Sequence, residues 1–407
     1  MPIDMSQALR QRADYTHKFN VGSGRHGWLR LTPAYSVRVV EEIIRAEASK
    51  SRVLDPFCGT GTTALTAVTN GFDSATADIN PFLVWLAQAK VASYSKVDLD
   101  RTKKLASKVV SGRQQSDLLP PPIHNIERWW SQPTVDFLLA TRKRIEDLSE
   151  LNSPEQNLLL IAFCRTLIKL SNAAFNHQSM SFKAPAPELE LGVNYASVFL
   201  NDVEAVLHSA PEPVTASCDV LLQDARTLTP DKVGTFDLVV TSPPYVNRMS
   251  YIRELRPYMY WLGYLNEARD AGELDWQAIG GTWGIATSRL SDWKADTPNT
   301  NCTVELATRS IATAENKHAK LLATYVEKYF VDMRQHFIAL STVMRPGGRV
   351  HYIVGNSTFY GTLVSAEEIY ADFMKEVGFS DVKVTAIRKR NSKKELIEFD
   401  VSATWNK

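Results

Sequence analysis

Cysteine is scarce in this chain of 407 residues, and the four present, Cys58, Cys164, Cys218 and Cys302, stand far apart with no ligand-type spacing. That argues against a disulfide framework and a zinc module; an isolated thiol is most often a small buried hydrophobe in a reducing compartment. Excess charge of one sign is missing too. With 46 Lys and Arg against 45 Asp and Glu, the formal charge is +1, so a nucleic-acid partner must be met by a local basic patch. Long apolar runs are also absent. The best, Leu158 to Cys164, is far short of a membrane span, and MPIDMSQALRQRADYTHKF carries no secretory apolar stretch, so a cytoplasmic location is expected. What is there, 44% hydrophobic and 22% charged residues, is ordinary globular composition with material for one large core or two modest ones.

Three short apolar segments, RVLDPF (52–57), SATADI (74–79) and FDLVVTS (236–242), each stop at an unusual loop and lead into helical sequence. Continuous apolar strands alternating with helices indicate a parallel sheet buried on both faces. VLLQDA (220–225) and GRVHYIVGN (348–356) extend the set, the second after a Pro-Gly-Gly turn expected to close a helix over 318–344. VKVTAIRKR (382–390) and LIEFDVSATW (396–405) read as an antiparallel hairpin at the sheet edge. The expected class is α/β: a Rossmann-like, mostly parallel seven-stranded sheet with a C-terminal antiparallel hairpin.

Between the second strand and VLLQDA the pattern is mostly helical. PTVDFLLATRKRIEDL is amphipathic, and SPEQNLLLIAFCRTLIKLSNAAF opens with a Ser-x-x-Gln capping box. We expect an inserted helical domain over 95–215, with 1–94 and 216–407 as the two parts of the main domain. Residues 265–315, carrying GGTWG and DTPNTN without a clear period, read as a long loop region over the sheet.

RVLDPFCGTGTTAL follows a strand and opens a helix. Gly59 and Gly61 let the backbone approach a ligand where side chains would collide, and Asp78 is placed for ribose hydroxyls. The same pattern serves NAD, and a tight turn in an unrelated α/β sheet needs no ligand at all. Asp55 and Pro56 lean away from NAD, because a carboxylate repels a pyrophosphate and attracts an ammonium group. S-adenosylmethionine, with its ribose, adenine and cationic amino-acid end, satisfies both.

At this point the chain resembles the amino-methyltransferases of DNA, whose cofactor motif is close to DPFxGxGT and whose catalytic motif is Asp/Asn/Ser-Pro-Pro plus an aromatic residue. Asp55-Pro56-Phe57-Cys58-Gly59-Thr60-Gly61-Thr62 matches the first and Ser242-Pro243-Pro244-Tyr245 the second. The resemblance implies a class I methyltransferase fold and S-adenosylmethionine as cofactor, bound by Asp55, Phe57, Gly59, Gly61, Thr62 and Asn80. By the same resemblance Asp78 takes the ribose hydroxyls and Asp224, within LLQDA, accepts from the adenine amino group; on its residues alone Asp224 is equally a capping carboxylate. HGWLRLTPAYS (26–36) looks like the family's additional cofactor element beside the methionine end, which adds Thr32 and Ser36.

An exocyclic amine of cytosine or adenine is a poor nucleophile because its lone pair is delocalised into the ring. Acceptors aimed at its two N–H bonds localise that pair, and a proline loop presents carbonyls with no competing N–H and a fixed φ. In the family the first motif side chain and the first proline carbonyl do this, here Ser242 and Pro243, with Pro244 continuing the loop. Tyr245 then stacks on a base taken out of the duplex. No metal or covalent nucleophile is called for, since the sulfonium is an excellent leaving group and alignment supplies most of the catalysis. Ser242 after Thr241 is the version more often associated with cytosine N4; adenine N6 by the same mechanism is the alternative.

The expected partner is double-stranded DNA, in a bacterial or archaeal restriction-modification or epigenetic setting, with any cognate restriction endonuclease acting separately. Asn247, Arg248, Tyr251 and Arg253 follow the proline loop as phosphate contacts or as ordinary solvated helix residues. The helical insert and 265–315 are expected to clamp DNA through Arg128-Trp129-Trp130, Arg142-Lys143-Arg144, Asn176-His177-Gln178 and Gly280-Gly281-Thr282-Trp283. Taken alone, such tryptophans are more often core residues and such a basic triplet a solvated face. Two rivals stand. A transfer-RNA guanine methyltransferase shares DPFCGTGT-like loops but is expected to carry a longer N-terminal RNA-binding domain, and a DNA-binding protein that has lost catalysis would not need Gly59, Gly61, Asp78 and Ser242 intact.

Overall fold

Seven segments pair into one sheet: β1 (Val53–Asp55), β2 (Ser74–Asp78), β3 (Cys218–Leu222), β4 (Phe236–Thr241), β5 (Met344–Gly355), β6 (Ser380–Lys389) and β7 (Ile397–Trp405). Their order across the sheet is β3-β2-β1-β4-β5-β7-β6. The first five in that order run parallel, and β7 returns antiparallel to β5 and to β6. This is the Rossmann-like α/β arrangement expected from the sequence. The computed structural model describes residues 9–31, 34–47, 51–112, 118–174, 181–182, 194–247, 250–281, 285–296, 301–390 and 395–407. Among them no helix is long and apolar enough to cross a membrane.

The topology fixes where chemistry can sit. Asp55, Asp78, Leu222, Thr241 and Gly355 end the parallel strands on one edge of the sheet, the edge where ligands bind in open α/β folds. Because β7 runs the other way, its beginning reaches the same edge, with Glu398 opposite Gly355 and Arg388 of β6 opposite Glu398. The hairpin therefore contributes side chains to this edge as well as closing the sheet.

Helices α1 (Val37–Arg45), α2 (Thr62–Thr69) and α3 (Pro81–Val91) flank the glycine-loop half. The stretch 95–215 holds α4 (Lys96–Ser111), α5 (Gln132–Leu148), α6 (Pro154–Lys169) and α7 (Tyr195–Ser209), with a two-residue strand pair, Ala173–Ala174 and Ser181–Phe182. Half of the expected capping box forms: Ser153 accepts from Gln156 N at 3.1 Å, while the Gln156 side chain accepts from Asn152 N at 2.9 Å. Buried residues of α4–α7 share one core with Trp28, with Phe82 and Leu86 of α3, and with Tyr258 and Met259 of α8 (Tyr251–Trp261). Trp129 and Trp130 lie inside that core; the Trp130 indole donates to Leu167 O at 2.9 Å and meets Trp261 edge-on. Arg142 ion-pairs with Glu146, Lys143 with Asp147, and Arg144 donates to Val109 O at 2.8 Å, so the basic triplet is tied down locally. Asn176, His177 and Gln178, and Thr282 and Trp283, lie outside the described residues.

Two expectations are corrected. Residues 265–315 are mostly helical, as α9 (Ala268–Gln277), α10 (Ile285–Asp292) and α11 (Cys302–Ala312). Asp270 accepts from the backbone of Asn266 and Glu267, and Asn301 caps α11 through Thr303 N and Val304 N. Helices of two or three turns give a period too short to read, yet Val304, Ala307 and Ile311 of α11 are buried at helical spacing. Pro-Gly-Gly does not close the preceding helix either. That helix, α12 (Ala319–Thr342), ends earlier, and residues 346–348 sit inside β5 where pairing jumps from Phe236↔Met344 to Leu238↔Arg349, a bulge that Gly347 allows at φ 80°. A last helix, α13 (Ala366–Val377), leads to the hairpin.

Candidate active site

β1 ends at Asp55 and the chain turns at once. Cys58 N donates to Ala77 O and Gly61 N to Cys58 O, both at 2.8 Å, with Gly59 at φ 51° and Gly61 at φ 73°. A Cβ on Gly61 would lie 3.2 Å from Cβ of Ala87, so this glycine also sets how closely α2 and α3 pack. The acid at the end of β2 holds the loop: Asp78 accepts from Gly59 N and from Asn80 N, each at 2.9 Å. Burial raises its carboxyl to about 6. Asn80 in turn caps α3 by accepting from Phe82 N.

Asp55 is buried, and one oxygen accepts from Phe57 N at 3.1 Å and from the Thr241 hydroxyl at 2.6 Å. That second bond joins the glycine loop to the residue before the double proline. The other oxygen, Oδ2, has no partner among the described residues, and burial raises the carboxyl to about 7. Lys90, an isolated cation in the apolar sequence of α3, is also buried and donates to Thr60 O at 2.8 Å. Burial pulls its ammonium down to about 8.

After β4, Ser242 donates its hydroxyl hydrogen to Ile353 O of β5 at 2.9 Å. Committing the hydrogen inward leaves the oxygen as an acceptor toward its other side. Tyr329 of α12 donates to Pro244 O at 2.7 Å, and its hydroxyl lies 2.5 Å from that of Tyr370. Tyr245 donates from its hydroxyl to Glu398 at 2.9 Å, and its backbone N donates to the Tyr251 hydroxyl at 3.3 Å. Burial, with the Glu398 charge beside it, holds the Tyr245 phenol well above its usual value.

A cavity of ≈ 260 Å³ joins the two loops, its wall formed by Phe57, Gly59, Thr62, Asp78, Asn80 and Asp224 on one side and by Ser242, Pro243, Pro244, Tyr245, Asn247 and Tyr251 on the other. Asp55 and Gly61 lie beneath this wall, not on it. Asp224 reaches it while capping a short turn, accepting from Arg226 N at 2.8 Å and pairing with the Arg226 guanidinium, which also binds Asp332. Ser36 is elsewhere: buried, it caps α1 through Arg38 N and donates to Asp14 O at 2.6 Å. Arg253 sits in the first turn of α8 and does not line the cavity. Thr32 and Arg248 lie outside the described residues. The sequence reading missed Tyr15, His17, Arg388, Arg390 and Glu398 on the wall, none of which belongs to a local motif, and within HGWLRLTPAYS it singled out Thr32 and Ser36 where Ala34 and Tyr35 line the cavity. Among the described residues no group of three or more His, Cys, Asp or Glu could hold a metal ion.

Residues 36–122 match a family model described as D12 class N6 adenine-specific DNA methyltransferase. The chain is 20% identical over 421 residues to Type II methyltransferase M.BsoBI of Geobacillus stearothermophilus, spanning 92% of this chain and 82% of that protein. It is 20% identical over 394 residues to Type II methyltransferase M.MvaI of Kocuria varians, spanning 89% and 82%. Among solved structures, the rRNA methyltransferase aviRa from Streptomyces viridochromogenes aligns over 99% of this chain and 94% of its own at 11% identity, with a TM-score of 0.29.

Proposed function

We propose that the chain is a DNA methyltransferase that uses S-adenosylmethionine and modifies the exocyclic N4 amine of cytosine in a base turned out of the duplex. One observation carries the reading: Ser242, its hydroxyl hydrogen committed to Ile353 O, shares a single cavity with Asp78 and the glycine loop. An acceptor with no donor to offer is what an amine with two N–H bonds requires. The residues present fit the cofactor. Asp78 brings a carboxylate to the cavity wall for the ribose hydroxyls, and Asp55, buried beneath that wall with Oδ2 unpartnered among the described residues, holds the glycine loop through Phe57 N.

Bound there, S-adenosylmethionine supplies an electrophilic methyl group on a sulfonium. Phe57, Gly59, Gly61, Thr62 and Asn80 shape its bed, and Asp224, oriented by Arg226, faces the adenine end. Ser242 and the Pro243 carbonyl take the two N–H bonds of the target amine and localise its lone pair on nitrogen. Tyr245 offers its ring to the base, Asn247 and Tyr251 stand beside it on the cavity wall, and Arg253, off the wall in the first turn of α8, is left for a phosphate of the strand. The two relatives named as Type II methyltransferases support a restriction-modification setting.

A second reading, adenine N6, is favoured by the description of the matched family model. Its span, 36–122, holds the glycine loop and Asp78 and stops before Ser242, so it weighs the cofactor half and not the base. The test is to incubate the protein with labelled S-adenosylmethionine, unmethylated bacterial DNA and transfer RNA, then digest and identify the labelled nucleoside. N4-methylcytosine is expected. N6-methyladenine corrects the base and keeps the mechanism, while label in transfer RNA alone overturns the proposal.

A further inference from the structure

Tyr245 is held by the C-terminal hairpin, which no motif marks. Its hydroxyl donates to Glu398 at 2.9 Å, and the Arg388 guanidinium grips the same carboxylate at 2.7 and 3.1 Å. The guanidinium of Arg390 lies over the ring, 4.9 Å from its centroid. Arg390 is itself fixed, donating to Asn356 O at 2.7 Å from Nη1 while its backbone N donates to Leu396 O at 2.9 Å. It lies so close to β5 that a Cβ on Gly355 would come within 2.6 Å of Nη1. Asn356 is held in turn by Ile397 N at 2.9 Å and Glu395 O at 2.8 Å.

These contacts constrain the ring in two directions. An anchor at the hydroxyl fixes the ring's long axis, and a cation over the face fixes its plane, so neither side-chain torsion is free to wander. A need for stability does not account for the arrangement: Glu398 is 5% exposed, and a buried ion pair is about as stable as the apolar residues that could replace it. Arg388, Arg390 and Glu398 all line the cavity that Ser242 and Tyr245 share.

We propose that Glu398, gripped by Arg388, is a positioning residue for the target base: it presets the plane of Tyr245, with Arg390 against that ring, before the base arrives. This rests on the reading of Tyr245 as the stacking platform. Preset geometry removes from the bound complex the cost of ordering the ring, so its loss falls on turnover with DNA and not on the cofactor.

The test uses the full chain, labelled S-adenosylmethionine and saturating unmethylated bacterial DNA. Tyr245→Phe and Glu398→Ala are each expected to lower kcat roughly tenfold with cofactor Kd unchanged, and Glu398→Gln, which keeps an acceptor, to retain more turnover than Glu398→Ala. The double variant should lose no more than Glu398→Ala alone, since the Tyr245 hydroxyl acts only through Glu398. Losses that multiply, or full turnover in both Tyr245→Phe and Glu398→Gln, overturn the proposal; those two variants decide it even where Glu398→Ala does not fold. Tyr245→Ala separates the readings. Full turnover there sinks the stacking role itself, whereas a crippled Tyr245→Ala beside unaffected Tyr245→Phe and Glu398 variants sinks only the positioning role.

Discussion

The sharpest prediction concerns the protonation of Asp78. Its carboxylate already accepts from Gly59 N and Asn80 N, and it reaches the cavity wall with a carboxyl raised by burial to about 6. Ribose hydroxyls are donors and favour the ionised form, so cofactor affinity should be full above the raised value and fall as pH drops through it. At pH 7.5 nearly every such carboxyl is ionised, and at pH 5 roughly one in eleven, so Kd should rise about tenfold, or about 1.4 kcal/mol. Asp55, raised by burial to about 7, lies beneath the wall and so enters through stability and not through contact with the cofactor. Asp78→Asn turns an NH2 toward one of two backbone donors and removes a charged acceptor, losses of about 1–3 and 1.5–3 kcal/mol, so affinity should drop by about 100-fold or more.

Stability should move the opposite way. Both carboxyls have folded values above the unfolded one, so their stabilising protons are fully bound below about pH 4 and lost as pH rises through 6 and 7. The ligand-free Tm should therefore decline from pH 5 to pH 7.5 while the increment added by S-adenosylmethionine grows. Calorimetric titration and thermal melts at four pH values read both. A wild-type Kd flat from pH 7.5 to pH 5, or an Asp78→Asn variant that keeps the lower step, refutes the reasoning.

Three further outcomes are expected. Ser242→Ala should lower kcat by about 100-fold with cofactor Kd unchanged, as for the loss of one preorganised polar partner, and an equal loss in cofactor binding would contradict the acceptor role. Gly61→Ala, at φ 73° and with Ala87 3.2 Å from the new methyl, should cost about 1–2 kcal/mol in melts and weaken cofactor binding. Trp130→Ala should cost about 3–5 kcal/mol of stability, with the salt slope of DNA binding unchanged in the folded fraction; a changed slope would return Trp130 to the DNA surface.

Much of the sheet was legible because its strands are short apolar runs that stop abruptly. RVLDPF, SATADI and FDLVVTS each end where a parallel strand meets a loop, and the structure ends β1, β2 and β4 within two residues of those limits. Where expectations failed, a local signal had two uses. Ser36 stands in a stretch that looks like a cofactor element, yet Ser before Val37-Arg38 is also a helix cap, and its hydroxyl is spent on Arg38 N and Asp14 O. Pro-Gly-Gly reads as a turn, but the sheet absorbs it as a bulge in β5. Trp129 and Trp130 were open to a base-stacking reading until the packing of α5, α6 and α8 enclosed them.

The two halves of the site differ in kind. The half proposed to hold the cofactor is nearly contiguous: residues 55–62 and Asp78 lie on adjacent strands joined by one helix, so a motif can describe them. The half proposed to face the base draws on 242–245, Tyr251 and the hairpin, and its convergence depends on register, Glu398 opposite Gly355 and Arg388 opposite Glu398. Arg388 and Arg390 stand two apart in the sequence, the spacing of residues on one face of a strand. The spacing does not show that the face meets Tyr245, because that follows from the antiparallel return of β7. A family description drawn from 36–122 and a base preference drawn from Ser242 can therefore differ without conflict, since they describe halves of the cavity that only the fold brings together.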